Sequence, residues 1–175
     1  KDERPYYDSH IKKIFKNIYN LDINPKISDY SYGFEIKSKA LWEFKTKTLK
    51  IKPGEKYEIR IPPALKINNE KIICSFIRGL FDTDGSLDFK TRCGYKKYYP
   101  AITLNLASKN LIKDVSELLF MLGFKPGVYE NEKYGTIALY GIGAFKRYES
   151  LIGWSSQKNL NRVQEWKNMY PELDK

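Results

Sequence analysis

The sequence has little from which to build a disulfide framework or a nitrogen–sulfur metal centre. Two cysteines, Cys74 and Cys93, stand among 175 residues without C-x-x-C spacing, so they read as reduced thiols in an intracellular, cytoplasmic protein. His10 is the only histidine and sits among lysines. A zinc site or a Ser-His-Asp triad is therefore not expected. No run approaches the ~20 apolar residues of a membrane-spanning helix, and no signal peptide is visible, so no membrane partner is expected. The first residue is Lys1 rather than Met, which hints at a processed chain or an excised fragment.

Acid is also in deficit. Lys and Arg number 31 against 21 Asp and Glu, for a formal charge of +10 and an isoelectric point near 9.4, which favours a polyanionic partner. The excess is local: Lys90, Arg92, Lys96 and Lys97 fall within eight residues that contain no acid. The remaining composition, 42% hydrophobic and 30% charged, is ordinary for a globular protein, and the length suits one sizeable domain or two small repeats. The 14 tyrosines can lay apolar rings with polar tips on a nucleic acid or fill a half-wet sheet.

Apolar spacing predicts a helix over 8–21, carrying Ile11, Ile14, Phe15, Ile18 and Leu21, with Asp8 or Ser9 as cap. Short strands are expected at Lys26-Ile27 and at Phe34 to Lys37, around a Ser31-Tyr32-Gly33 turn, then a helix from Ser38 to Leu49 with Leu41, Trp42 and Phe44 as its apolar side. Tyr57 to Pro63 reads as an extended connector. The chain then reads helix, strand (Leu87, Phe89), strand (102–106), helix capped by Ser108 and closed by Gly123, hairpin (126–130 and 136–140), and helices at 143–152 and 159–169. From Asn68 onward this is an αββαββα unit plus a terminal helix. Ile11, Ile18, Leu21, Pro25 and Ile27 match Ile112, Leu119, Leu122, Pro126 and Val128 at a constant offset of 101 residues, which reads as an internal duplication.

The centre of the chain is Phe76-Ile77-Arg78-Gly79-Leu80-Phe81-Asp82-Thr83-Asp84-Gly85-Ser86. Asn68 or Asn69 can cap this helix, and Ile72, Phe76 and Leu80 repeat every four residues as an expected apolar face. Ser75 and Gly79 make a second face with almost no side chain, which Asp82 extends; such a face lets another helix approach closely. Gly85 is expected to end the helix through left-handed geometry, leaving a carboxylate at the end of an apolar rod within reach of solvent, metal or substrate. An EF-hand loop starting at Asp82 would need glycine at Leu87 and glutamate at Cys93, so that reading fails.

The stretch from Ile77 to Gly85 resembles the signature helix of the LAGLIDADG homing endonucleases, with Gly79, Asp82, Asp84, Gly85 and Ser86 in the family positions. The resemblance is to the archaeal-type, intron- or intein-encoded form, and it implies an α+β fold in which each αββαββα repeat contributes to a twisted antiparallel sheet lying along duplex DNA. Residues 67–175 would then be a complete repeat and residues 1–66 an incomplete one, whose motif helix is expected ahead of Lys1. The implied activity is site-specific, Mg2+- or Mn2+-dependent cleavage of double-stranded DNA; the alternative is a cleavage-deficient DNA-binding regulator or an RNA maturase on the same scaffold. By resemblance Asp84 holds metal, with Gly85 as a backbone ligand, against a bland role in capping. Lys56 and Lys158 resemble lysines that support cleavage, although either can be an ordinary solvated lysine. Leu106-Ala107 departs from the Gln, Asn or Lys that several members carry there; either Lys158 supplies the charge or cleavage is weak. The implied DNA-facing residues are Ser86, Asp88, Lys90 and Arg92 with Thr103 and Asn105 on the partner strand, and Lys96 and Lys97 at the hairpin tip. Ser75, Gly79 and Asp82 would pair with a second motif helix, from a preceding segment or from another copy of the chain.

Overall fold

Alternation of apolar and polar residues after Gly85 sets the strand that begins the main sheet. In a computed structural model, which describes residues 4–28, 31–51, 53–54, 56–65, 69–92 and 95–173 without the side chains of Ala64, Tyr95, Lys96 and Lys97, β3 (Gly85–Arg92) pairs with β4 (Tyr95–Leu106). The second hairpin, β5 (Gly127–Glu130) and β6 (Gly135–Tyr140), docks β6 beside β4. The order is β3-β4-β6-β5, antiparallel throughout. Directly paired residues share a face, so Leu87, Ile102, Leu104, Ile137 and Leu139 line the buried one. The opposite face carries Ser86, Asp88, Lys90, Thr103, Asn105, Thr136 and Tyr140. β4 begins earlier than the expected 102–106 because Tyr98, Tyr99 and Pro100 extend the pairing to Phe89 and Lys90.

Four helices cover the buried face: α4 (Glu70–Thr83), α5 (Lys109–Met121), α6 (Ile142–Leu151) and α7 (Gln157–Met169). Two have the expected caps. Asn69 accepts from the Ile72 N–H at 3.2 Å and Ser108 from the Leu111 N–H at 3.1 Å, each contributing about 1 kcal/mol; Asn68, the other candidate, lies outside the described residues. Trp166 is fully buried, its ring 5.0 Å from Phe145 and 5.7 Å from Phe89, and its indole N–H donates to the Tyr98 carbonyl. The single polar atom of a large core side chain is thereby satisfied.

Two expectations for α4 change. The buried stripe is Ile73, Cys74, Ile77 and Phe81, whereas Ile72, Phe76 and Leu80 lie half-exposed on its flank. Gly85 is not a left-handed cap either. Its backbone φ is not positive; a Cβ there would sit 2.5 Å from the Phe81 carbonyl oxygen, so close approach of β3 to the end of α4 requires glycine.

Ahead of this unit, α1 (Arg4–Tyr6), a π-helical turn (Tyr7–Ile11) and α2 (Lys12–Tyr19) form one helical run. Helix is already present at Arg4, so Asp8 and Ser9 are not caps; Asp8 instead pairs with Lys12 and accepts from the Tyr32 hydroxyl. Strands β1 (Lys26–Ser28) and β2 (Ser31–Gly33) make a two-stranded hairpin, so the expected turn residues are strand and Phe34 to Lys37 are not. Ser38 caps α3 (Lys39–Glu43), which runs on through the π-helical Phe44–Thr48. The connector holds a 3-10 turn at Lys56–Glu58 and is fastened to α5: Asp114 accepts from Arg60 and from the Ile61 N–H, both at 3.1 Å, and the Ser108 hydroxyl donates to the Ile59 carbonyl.

Candidate nucleic-acid interface

Helix α4 stops at Thr83, and the Asp84 N–H closes its last turn on the Leu80 carbonyl. The Asp84 side chain stands exposed. Its Oδ2 lies 3.0 Å from the Thr83 hydroxyl, which also faces the Gly79 and Leu80 carbonyls, and nothing among the described residues bonds Oδ1. This carboxylate is open to a ligand while its backbone is anchored by the helix and by Gly85.

Asp82 behaves differently. It does not continue the Ser75–Gly79 face but turns toward the start of α7, where its Oδ2 accepts from the Ser155 N–H at 2.8 Å. Burial pushes its pKa up, against the lowering effect of the Ser155 and Ser156 N–H groups and Asn159; its Oδ1 is buried without a partner. Tyr6 and His10 of the first helical run lie within electrostatic reach, and burial plus this carboxylate push the Tyr6 phenol up to about 12. Because the folded chain binds the Asp82 proton more tightly than the unfolded chain, the stability it contributes is full below the ordinary aspartate value of 3.8 and is lost as pH rises through the folded pKa. Asp82→Asn keeps an acceptor for Ser155 and removes the buried charge. The variant should therefore gain on wild type as pH climbs from about 3.5 to about 7. Denaturant midpoints across that range measure it, and parallel curves would contradict it.

Beyond Asp84, the outer sheet face gathers most of the residues expected to meet DNA. Asp88 accepts from the Ser86 hydroxyl at 3.0 Å and from Arg162 at 3.1 Å; Arg162 also donates to the Leu87 carbonyl. The Lys90 ammonium lies 5.8 Å from the centre of the Tyr140 ring and the Arg92 guanidinium 4.5 Å from that of Tyr99. The Thr136 hydroxyl donates to Asn105 Oδ1 at 2.6 Å, with Thr103 two residues away on the same face. Ala101 and Ala138 are buried at its centre. The side chains of Lys96 and Lys97 lie outside the described residues. Tyr99, Tyr140, Thr136 and Arg162 belong to this face and were not singled out by sequence. Strand parity could have found Thr136 and Tyr140, but Arg162 arrives from a helix 74 residues away from Asp88.

The remaining candidates are more dispersed. Lys158 is exposed in the first turn of α7 and Lys56 is exposed in its 3-10 turn. No ion pair joins either to Asp84 among the described residues. Nor is there, among those residues, a cluster of three or more His, Cys, Asp or Glu side chains that could hold a metal ion. A single open carboxylate still fits Mg2+, which is commonly held by one or two carboxylates plus phosphate oxygens and water. Ser75 and Gly79 are exposed, and a Cβ on Gly79 would meet nothing within 4 Å. Beside them a groove of about 430 Å³ is lined by Leu65, Lys71, Ile72, Ser75 and Phe76. No helix of the described residues is long and apolar enough to cross a membrane.

Comparison with known proteins identifies this frame. The homing endonuclease I-DmoI, solved in complex with DNA and Mn, is 17% identical and aligns over 87% of this chain and 77% of its own with a TM-score of 0.61. The N-terminal LAGLIDADG domain of DUF199/WhiA is 13% identical over 89% of this chain and 70% of its own, with a TM-score of 0.52. Among curated proteins, the probable translation initiation factor IF-2 of Methanocaldococcus jannaschii is 27% identical over 175 residues, 90% of this chain. The chain spans only 9 to 14% of the length of such relatives, which include an aminotransferase of the same organism. The profile of the LAGLIDADG-like domain matches residues 71–165. Since that match covers more than half of the chain and the sheet and helices follow the same architecture, the protein belongs to the LAGLIDADG family.

Proposed function

We propose that this protein is a site-specific, metal-dependent endonuclease of the homing type, acting on double-stranded DNA. The observation that carries the reading is the open Asp84 carboxylate, fixed at the point where α4 passes into the strand whose outer face bears Ser86, Asp88, Lys90 and Arg92. Asp84, with the Gly85 carbonyl, would hold Mg2+ or Mn2+ against a DNA phosphate. When bound, such an ion supplies Lewis-acid stabilisation and a more acidic water. Thr83 orients the carboxylate, the outer face holds the duplex, and Lys158 or Lys56 would offset the further negative charge that develops on the phosphate under attack. Structures of I-DmoI with its target DNA and Mg or Mn support this assignment.

A binding-only role is the second reading, favoured by the fold shared with WhiA and by Leu106-Ala107, which put no polar side chain at the end of β4. The matched segments within an initiation factor and an aminotransferase support an intron- or intein-encoded element of intracellular origin.

The same reading divides the chain into an incomplete repeat, 1–66, and a complete one, 67–175. Burial supports it. The offset of 101 places Ile18, 66% exposed, on Leu119, 0% exposed, and Phe44, 41% exposed, on Phe145, 1% exposed. In the complete repeat those positions lie in one core with buried residues of α4, β3 and β4. The first half has the core residues of a repeat without the helix and strands that cover them, and a second motif helix, from a preceding segment or another copy, would supply the cover.

Duplex binding tests the proposal. Affinity should fall steeply with salt, with a log–log slope of about −0.9 per phosphate contacted. Salt-insensitive binding would sink it, and preference for structured RNA over duplex DNA would favour a maturase.

A further inference from the structure

The outer sheet face holds two cations against two aromatic rings. Tyr99 pairs with Lys90 in the ladder, but four residues of β4 then span what two residues span on β3, so that Arg92 pairs with Tyr95. Arg92 lies with its guanidinium 4.5 Å from the Tyr99 ring centre. The ring lies close beside Gly141 and edge-on to Tyr98. Gly141, at φ +92°, donates its N–H to the Pro100 carbonyl, and a Cβ there would lie 3.4 Å from the Tyr99 hydroxyl. Across the face, Tyr140 receives the Lys90 ammonium at 5.8 Å. The acid of this face, Asp88, is occupied by Arg162 and Ser86, so it does not draw Arg92 or Lys90 off their rings.

We infer that Tyr99 and Tyr140 are positioning residues for sequence recognition, holding Arg92 and Lys90 in set poses, and that Arg92 thereby reads a guanine. This rests on the proposed binding of duplex DNA. An arginine free in solvent samples many rotamers and meets phosphates of any sequence. One stacked on a ring keeps its planar fork in one orientation, with two parallel N–H donors available for O6 and N7 of guanine in the major groove. The ring adds no charge. Its removal should therefore leave charge-driven, sequence-independent binding in place and take away discrimination, which separates this role from that of a phosphate-binding lysine. The Lys90–Tyr140 pair, longer and without a planar fork, sets a weaker preference by the same means.

The test is selection from a randomised duplex library by wild type, Tyr99→Phe, Tyr99→Leu and Arg92→Gln, with melting curves to verify the fold. Wild type and Tyr99→Phe should enrich a site with guanine at one shared position. Tyr99→Leu should lower that preference by roughly tenfold to a hundredfold, with affinity for random duplex changed by no more than about twofold and an unchanged salt slope. Arg92→Gln, an exposed change that cannot disturb the core, should lose the same guanine, together with the share of overall affinity that the lost charge supplied. Guanine preference retained in Tyr99→Leu overturns the positioning role, and guanine preference retained in Arg92→Gln overturns the reading by Arg92; either result leaves duplex recognition standing. A wild type that enriches no sequence overturns both.

Discussion

Asp84→Asn should abolish metal-dependent cleavage while leaving duplex binding intact or slightly tighter. The expected loss is on the order of a thousandfold or more, since charge stabilisation by a bound metal supplies several kcal/mol of the barrier reduction and each 1.36 kcal/mol is tenfold. The substitution is close to isosteric. Asparagine can still accept the Thr83 hydroxyl and Asp84 is exposed, so the fold should not register the change. Removing a carboxylate also removes repulsion toward phosphate, which is why affinity should hold. Rates and affinities measured on the same duplex separate the two effects; cleavage that survives the substitution would remove Asp84 from the chemistry.

Gly79→Leu gives the next largest effect, and its sign depends on whether α4 has a partner. In the isolated chain the position is exposed, and a Cβ added there would meet nothing within 4 Å, so leucine should be accommodated and should stabilise the helix by about 0.8 kcal/mol relative to glycine. Against a second motif helix packed on Ser75 and Gly79, the same side chain forces the backbones apart and association should be lost. The chain is expected to associate through this face, bringing two Asp84 residues together about a twofold axis, and Gly79→Leu should yield a more stable monomer. Sedimentation equilibrium and thermal melting read both quantities. A wild-type monomer unchanged in mass by Gly79→Leu would show that the face is not used between copies.

What was legible in the sequence was mostly local. The Asn69 and Ser108 caps depend on one side chain and the N–H three residues on, and the alternation of Leu87 and Phe89 with Asp88 and Lys90 carries over into the two faces of β3. The motif around Asp84 placed an open carboxylate at the end of a helix, where the structure has it. The misreadings came from long-range choices. Helix α4 carries two apolar stripes, and which one is buried was decided by the sheet and by α5 to α7 rather than by period: Ile73, Ile77 and Phe81 went inward and Ile72, Phe76 and Leu80 were left on the flank. Asp82 sits three residues after Gly79, as helix-face spacing requires, yet the Ser155 N–H and the start of α7 draw it to another side. Gly85 was singled out for the wrong reason, because its crowding against the Phe81 carbonyl exists only once β3 folds back on α4. The stacked tyrosines and Arg162 depend on strand register and on a contact across 74 residues, which local pattern does not encode.

Divalent-metal-dependent cleavage of a randomised duplex library is the measurement closest to the proposed function. Incubating the chain with the library in Mg2+ and sequencing the newly made ends should return cuts at one shared sequence, abolished by chelation. Sequence-specific binding with no new ends, in Mg2+ or Mn2+, both at concentrations where the chain associates and with a preceding motif-helix segment restored, would contradict an endonuclease and favour the binding-only reading.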